Sequence, residues 1–183
     1  MIQLIFVVET DNKTKSDDRY ISKLINNRYD LSTNNYKIQF VHMGGKDKYK
    51  EDFVIEEING YLVENSDGEN NVIYCFDTDK INVEYTDKDN FKKKKEYCKS
   101  KGYKLIWFNH TIEKVLLNKT VESNKKKQES IKYLNRGIIV DENRLKATNE
   151  EHSDKSNIYG ILDTLLPKKI YIERRLLFFQ DII

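Results

Sequence analysis

Short apolar runs alternate with longer amphipathic stretches along the first 110 residues of the chain. Ile2–Val8 and the runs 71–76 and 103–108 are rich in β-branched and aromatic side chains, which is typical of buried strands. Tyr36–His42 alternates apolar and polar residues, as a strand nearer the edge of a sheet does. The pattern therefore predicts four strands.

The stretches between these strands have helical spacing. We predict a helix from the N-cap Ser16 to about residue 29, a second over 47–64, and a basic third helix over 90–100 that Gly102 ends. Each crossover is long enough for a right-handed connection between parallel strands. The predicted fold class is α/β, with a parallel sheet of four or more strands flanked by helices.

The last third of the chain predicts a C-terminal helical extension, so we divide the chain into a core over 1–120 and an extension over 121–183. Helices are expected over 125–135 and 157–166, a short extended piece over 137–140, and a polar stretch over 141–156. The tail from Lys168 onward is strongly apolar. It packs back on the domain or meets a partner, and the sequence does not decide between them.

Two of the predicted buried strands end on acids. Glu9 follows the first strand, and Asp77 and Asp79 follow the third. Parallel sheets gather the carboxyl ends of their strands along one edge, so these carboxylates would crowd one place. This favours a divalent metal, or a raised pKa suited to proton transfer, over a plain polar loop.

Two further candidates follow the fourth strand. Asn109 or Thr111 can cap a short helix that carries Glu113 in its first turn. Glu113 then either complements the helix dipole or adds a fourth carboxylate to the site. His110 is either a hydrogen-bonded loop residue or a catalytic one.

Composition narrows the possibilities. At 183 residues, with 38% hydrophobic and 34% charged residues, the chain is long enough for one domain with a substantial core. The net charge of +2 does not imply nucleic acid by itself, but lysines cluster around residues 92–104 and 125–136. These clusters are solvated helix faces or a nucleic-acid contact.

Cys75 and Cys98 are too few for a disulfide framework and indicate reduced thiols in a cytoplasmic protein. The apolar start meets Glu9 before a secretory leader could form. No apolar run approaches the roughly 20 residues that a membrane span needs. We therefore expect cytoplasmic localisation and no membrane partner.

The order of these motifs resembles the TOPRIM domain of topoisomerases, primases and overcoming-lysogenization-defect nucleases, and within that group the RloB-like proteins of bacterial restriction and phage-defence loci. The matching residues are Glu9, then Asp77 with Asp79, then Asn109 followed by Glu113 and an apolar run. The resemblance covers residues 1 to about 120. The chain departs from the family pattern at Thr10, where Gly is usual, at His110, where Pro is expected, and at Ile81, where some members carry an acid.

The resemblance implies a Rossmann-like TOPRIM fold and metal-dependent phosphoryl transfer. Asp77 and Asp79 would hold Mg²⁺ or Mn²⁺, and Glu9 would be a general acid/base or a further metal ligand. Glu113 and His110 would be additional catalytic candidates. The expected activity is a nuclease of anti-phage defence that acts on RNA, such as tRNA, or on DNA.

Two alternatives remain open at this point. The first is a non-catalytic TOPRIM-like module that binds nucleotide or nucleic acid and signals to a partner ATPase. The second is a structural component of a defence complex with a decayed site. The sequence also leaves open whether the chain forms a homo-oligomer.

Overall fold

A four-stranded, all-parallel sheet forms the centre of the protein, in the order β2-β1-β3-β4. The computed structural model describes residues 1–32, 35–78, 85–136, 141–150 and 154–169. The strands are β1 (Ile2–Val8), β2 (Tyr36–His42), β3 (Glu69–Asp77) and β4 (Lys104–Phe108). Helices flank this sheet, so the predicted α/β class with a Rossmann-like arrangement is confirmed.

Seven α-helices lie in the described part of the chain. They are α1 (Ser16–Arg28), α2 (Asp52–Glu64), α3 (Tyr85–Lys101), α4 (Ile112–Leu117), α5 (Lys126–Asn135), α6 (Glu142–Leu145) and α7 (Ile158–Leu162). None of the described helices has the length and apolar character needed to cross a membrane.

Both faces of the sheet are covered at the central strand β1, which is why β1 is a nearly continuous apolar run, whereas β2 at the edge is half-buried over most of its length and alternates apolar and polar residues. Along β1, Phe6 faces a cluster with residues of α1, α4, α5 and α7, whereas Val7 faces a cluster with residues of α2 and α3. Side chains alternate across a strand, so one short run supplies both clusters. Cys75 and Cys98 are buried free thiols, one in each cluster.

Three helix starts differ from the prediction. Ser16 is the first residue of α1 rather than its N-cap, because Lys15 takes the cap position with a left-handed backbone, φ 48°. α2 begins at Asp52, since turn hydrogen bonds from Lys48 to Gly45 and from Glu51 to Lys48 occupy the preceding residues. α3 begins earlier than predicted, at Tyr85, with an acid in its first turn that favours a helix N-terminus.

The segment after α6 covers the outer edge of β4. The side chain of Asn157 accepts a hydrogen bond from Trp107 N at 2.9 Å and donates one to Leu105 O at 2.9 Å. Ser156 forms an antiparallel bridge with Phe108. A single asparagine thus takes the place of a neighbouring strand, which satisfies backbone groups that an edge strand leaves open.

The C-terminal third packs on the same face of the sheet as α1. Tyr133, Leu145 and Leu162 are buried there beside residues of β1 and β3. The helix predicted over 157–166 ends at Leu162 and continues as turns, and a short helix, α6, lies within the stretch predicted to be polar. The extended piece over 137–140 and the apolar tail from residue 170 lie outside the described residues.

Candidate functional site

The carboxyl edge of the sheet brings Glu9 and Asp77 together, as the strand ends predict. Asp77 N donates a hydrogen bond to Glu9 Oε1 at 3.2 Å, which joins the ends of the neighbouring strands β1 and β3. Asp77 Oδ1 accepts a hydrogen bond from Ile112 N at 3.0 Å, at the start of α4. The Asp77 carboxylate is therefore fixed between the sheet and the segment that follows β4.

Glu113 lies in the first turn of α4 with its side chain wholly buried. The ammonium of Lys126, from α5, lies 3.4 Å from Glu113 Oε1, yet neither carboxylate oxygen of Glu113 has a hydrogen-bond partner within the described residues. A buried carboxylate without hydrogen bonds is costly, because desolvation disfavours its charge. Glu113 lies in the first turn, where it complements the dipole of α4, and its charge also acts on Asp17 and Asp77.

Asp17, in the first turn of α1, is a further acid of this edge. Its Oδ2 accepts a hydrogen bond from Thr10 N at 3.3 Å, and its Oδ1 accepts one from Ser16 Oγ at 3.3 Å. Burial and the neighbouring charge of Glu113 raise the pKa of Asp17 from 3.8 to about 6. Asp17 thus shares the electrostatic environment of the sequence-predicted acids.

Asp77 has the same electrostatic character. Burial, together with the negative charges of Glu9, Asp17 and Glu113, raises the pKa of Asp77 well above its ordinary value. Like charges in a buried site disfavour simultaneous ionisation, and the positive charge of Lys126 only partly offsets this at Asp77. We call Glu9, Asp17, Asp77 and Glu113 the carboxylate cluster.

Two lysines approach the carboxylate cluster. Lys94, from α3, is buried with its ammonium 3.9 Å from Glu9 Oε1 and 4.6 Å above the ring of Phe76. Lys126 comes from α5; burial lowers its pKa, but the charges of Glu113, Asp77 and Asp17 outweigh burial, so the net pKa is raised. Among the described residues, Lys94 and Lys126 thus each lie within ion-pair distance of one acid of the cluster, and Lys46 lines the same small cleft as Asp77.

The turn between β4 and α4 is organised by backbone bonds. His110 has a left-handed backbone, φ 62°, and its N–H donates to Thr78 Oγ1 at 3.3 Å. Proline can supply neither feature, because its ring fixes φ near −65° and removes the N–H. The residue that departs from the family pattern thus matches the backbone found here, and His110 meets the site through its main chain.

Of the two predicted caps for α4, Thr111 is the one used. Thr111 Oγ1 accepts a hydrogen bond from Lys114 N at 3.2 Å, as an N-cap does. Asn109 is instead buried, with its Nδ2 donating to Glu150 O at 2.5 Å and its backbone N donating to Lys155 O at 2.8 Å. It ties the turn to the segment that covers β4.

The donor set suits a hard divalent cation, which prefers carboxylate oxygens. The Glu113 oxygens, which have an ion-pair partner in Lys126 but no hydrogen bond among the described residues, agree with that chemistry. Among the residues that the structure describes, no group of three or more Asp, Glu, His or Cys side chains has the arrangement of a metal centre. Asp79, the second predicted metal ligand of β3, lies outside the described residues.

Sequence reasoning missed Asp17, Lys94 and Lys126. Asp17 reads as an ordinary acid in the first turn of a helix, and each lysine lies inside a run of lysines. The only sequence signal is position: Asp17 lies in the crossover directly after a strand that ends on an acid. Tertiary packing of α1, α3 and α5 decides the rest.

The fold and the site together define a class: a Rossmann-like α/β protein with a buried carboxylate cluster at the carboxyl edge of its parallel sheet. Comparisons of the chain with protein-family models, curated proteins and solved structures found no match.

Proposed function

We propose that the protein is a Mg²⁺- or Mn²⁺-dependent nuclease of TOPRIM type that acts on RNA or DNA in bacterial anti-phage defence. The observation that carries the proposal is the carboxylate cluster, in which four buried or half-buried acids face two lysines and the Glu113 oxygens lack hydrogen bonds. The order of Glu9, Asp77 and Glu113 along the chain adds the resemblance to TOPRIM proteins.

The cost of this cluster supports a functional reading. Burial opposes ionisation of Asp17 and Asp77, so a fold selected for stability alone has no use for the arrangement. Buried acids whose ionisation is opposed in this way are concentrated at sites that bind cations or transfer protons. Their place at the carboxyl ends of parallel strands is where α/β folds bind ligands.

In the proposed reaction, each side chain has a distinct task. Mg²⁺ or Mn²⁺, when bound, would neutralise the scissile phosphate and favour ionisation of the attacking water. Asp77, and Asp79 beside it in sequence, would hold the cation, and Asp77 is oriented for this by Ile112 N. Glu9 would exchange protons with the reacting water or the leaving group.

The two lysines would balance charge from opposite faces of the sheet. Lys94 approaches Glu9 from the α3 side, whereas Lys126 approaches Glu113 from the α5 side. Lys126 would keep Asp17 and Glu113 ionised and in place, and Lys94 would fix the orientation of Glu9. Catalysis would rest on preorganised charge rather than on a protein nucleophile.

The second candidate function is a non-catalytic TOPRIM-like module that binds nucleotide or nucleic acid beside a partner ATPase. This candidate is favoured because, among the described residues, no three Asp, Glu, His or Cys side chains are arranged as a metal centre. The departure from the family pattern at Thr10 points the same way.

The deciding experiment incubates the protein with Mg²⁺ or Mn²⁺ and a panel of tRNA, single-stranded DNA and duplex DNA. Glu9→Gln removes the acid/base with little change of shape, and Glu51→Gln, at an exposed carboxylate before α2, is the matched control. We expect metal-dependent cleavage by the wild type and by Glu51→Gln, reduced at least about 100-fold in Glu9→Gln.

Cleavage that persists in Glu9→Gln, or that continues with chelator present, would contradict the proposed mechanism. No cleavage of any substrate, together with nucleic-acid binding that needs no metal, would favour the non-catalytic module.

A further inference from the structure

A groove of about 980 Å³ lies between α3 and residues 148–150, on the face of the sheet opposite α1. One wall is α3 itself, and the other includes Thr148, Glu150 and Asn157. Its volume is at the upper end of what small-ligand sites enclose. The carboxylate cluster is not part of its lining, so the groove is a separate feature of the molecule.

Lysines line the α3 wall in helical register. Lys88, Lys92, Lys95 and Lys99 are spaced by four, three and four residues, which places them along one face of the helix. Lys95 pairs with Glu150 across the groove at 2.6 Å.

The charges of Lys92 and Lys99 are not compensated in this way. Both are exposed, and neither has a carboxylate partner among the described residues. Asp89 and Glu96 also line the groove, so its four lysines face three acids with Glu150 included, and the lining carries a net charge of +1. Seven residues of helix separate Lys92 from Lys99 by roughly 10 Å, which allows them to contact different phosphates of one strand.

The floor of the groove is apolar and aromatic. Tyr103 and Leu105 are half-buried there, and Trp107 contributes an edge that is 4% exposed. Such a floor beside lysines suits a ligand that has flat apolar faces and negative charges. Unpaired nucleotides have both, whereas the base faces of a duplex are hidden by stacking.

The groove lies next to the proposed catalytic edge. Phe91 lines the groove and also a small cleft that Asp77, Thr78 and Lys94 share. A strand lying in the groove would therefore be led toward the carboxylate cluster along α3.

We propose that this groove binds single-stranded nucleic acid, with backbone phosphates on Lys92 and Lys99 and bases against Tyr103 and Leu105, next to the exposed edge of Trp107. The choice of ligand rests on the proposed nuclease function and names its substrate class as unpaired RNA or DNA. Contacts of this kind read the backbone and the base faces, so sequence preference should be weak.

The test measures binding rather than cleavage, in an Asp77→Asn background and without divalent metal. Trp107 is the only tryptophan of the chain, so its fluorescence reports directly on the groove. The probes are fluorescein-labelled oligo(dT), oligo(U), a DNA duplex of the same length, and unlabelled uridine monophosphate. The variant is Lys92→Ala with Lys99→Ala, and the matched control is Lys93→Ala with Lys101→Ala, two exposed lysines of α3 outside the groove lining.

We expect the single strands to change the Trp107 fluorescence and to bind at least tenfold more tightly than the duplex. The groove variant should lose at least tenfold in affinity, and its plot of log affinity against log salt should flatten by about 1.4, or 0.7 for each lost phosphate contact. The control variant should bind like the parent. Circular dichroism of all variants confirms that α3 is intact.

Equal affinity for duplex and single strand, an unchanged Trp107 signal, or equal losses in the two lysine variants would overturn the proposal. Tight binding of uridine monophosphate without binding of oligonucleotides would overturn it in favour of a free-nucleotide pocket. Binding as expected, with no cleavage by the wild-type protein in the metal panel, would sink the nuclease function and leave the groove standing.

Discussion

The two ends of the sheet treat buried polar groups in opposite ways. At the amino end, neutral amides of Gln3, Asn65 and Asn70 bond to one another and to the backbone. At the carboxyl end, the acids of the carboxylate cluster face two lysines, and Glu113 has no hydrogen bond. The same strands therefore begin in a largely satisfied network and end in a strained one.

The amino-end network is dense. Gln3 Nε2 donates to Tyr61 O at 2.8 Å and to Asn70 Oδ1 at 2.9 Å, and Asn70 Nδ2 donates to Asn65 O at 2.9 Å. One buried oxygen, Gln3 Oε1, is left without a partner. No group in this network carries a charge, so its stability contribution does not depend on pH or on a cation.

The difference shows at which end of the sheet the fold carries polar groups that lower its stability. A neutral network would have satisfied the carboxyl end equally well, since the backbone geometry of parallel strands is the same along their length. Acids placed there instead raise the energy of the folded state, and the cation that we propose would lower it on binding. The amino-end amides thus hold the fold together, whereas the carboxyl-end acids are the groups for which we propose a ligand.

The largest effect should follow from removing Lys126. Lys126→Met leaves Glu113 buried without its cation, and we expect the free energy of unfolding at pH 7.5 to fall by about 3 kcal/mol. Urea denaturation measures this, with Lys127→Met, at an exposed neighbour, as the control. Adding Glu113→Gln to Lys126→Met should recover much of the lost free energy. If Lys126→Met alone were as stable as the wild type, Lys126 would not be the cation that balances Glu113.

The stabilisation by a divalent cation should depend on the acids at the carboxyl end of the sheet and not on the amides at its amino end. At a Mn²⁺ concentration of about 100 times its Kd, we expect the free energy of unfolding to rise by about 2.7 kcal/mol. Asp77→Asn should abolish this gain, whereas Asn70→Ala at the amino end should keep it. A gain that survives in Asp77→Asn would place the cation elsewhere.

Asp17→Asn should increase stability at neutral pH. Because the pKa of Asp17 rises from 3.8 to about 6 on folding, the folded state binds the proton more tightly, and this contribution falls as the pH rises from 4 through 6. We expect a gain of about 2 kcal/mol at pH 7.5 that vanishes below about pH 4. Urea midpoints across pH measure it, with Asp67→Asn, in an exposed turn, expected to show no such dependence.

The smallest effect should come from the amino end. Asn70→Ala removes the oxygen that accepts from Gln3 and Asn65, and we expect a loss of about 1.5 kcal/mol. The loss should be the same at pH 5 and pH 8, with or without Mn²⁺, when followed by thermal or urea unfolding. A loss that changes with either condition would break the contrast between the two ends.

Much of the fold follows from the sequence, because apolar runs of the right length between helical stretches leave little choice besides a parallel sheet. Element boundaries were harder to predict. The start of α2 is displaced by turn bonds around Gly45 and Lys48, which no hydrophobic period records. The closure of the β4 edge by Asn157 also has no sequence signal, since an asparagine before a helix reads as a cap.

The site could be predicted only where it lies on strand ends. Glu9 and Asp77 lie at the ends of the buried strands β1 and β3, and Glu113 lies just after β4. Their convergence therefore follows from the geometry of a parallel sheet. Asp17 and Lys126 reach the cluster on helices whose orientation depends on packing between α1 and α5. In the run 125–127, local sequence does not distinguish the one lysine that turns inward.

The bonding of Asn157 to β4 also bears on how the protein behaves in a crowded cell. Sheets grow into aggregates when an incoming strand finds open amide and carbonyl groups along an edge. At Trp107 and Leu105 those groups are already bonded to one side chain from the C-terminal third. The last third of the chain thereby occupies the edge on which a further strand would pair, with the Ser156 bridge to Phe108 covering the end of β4 and Asn157 covering its middle.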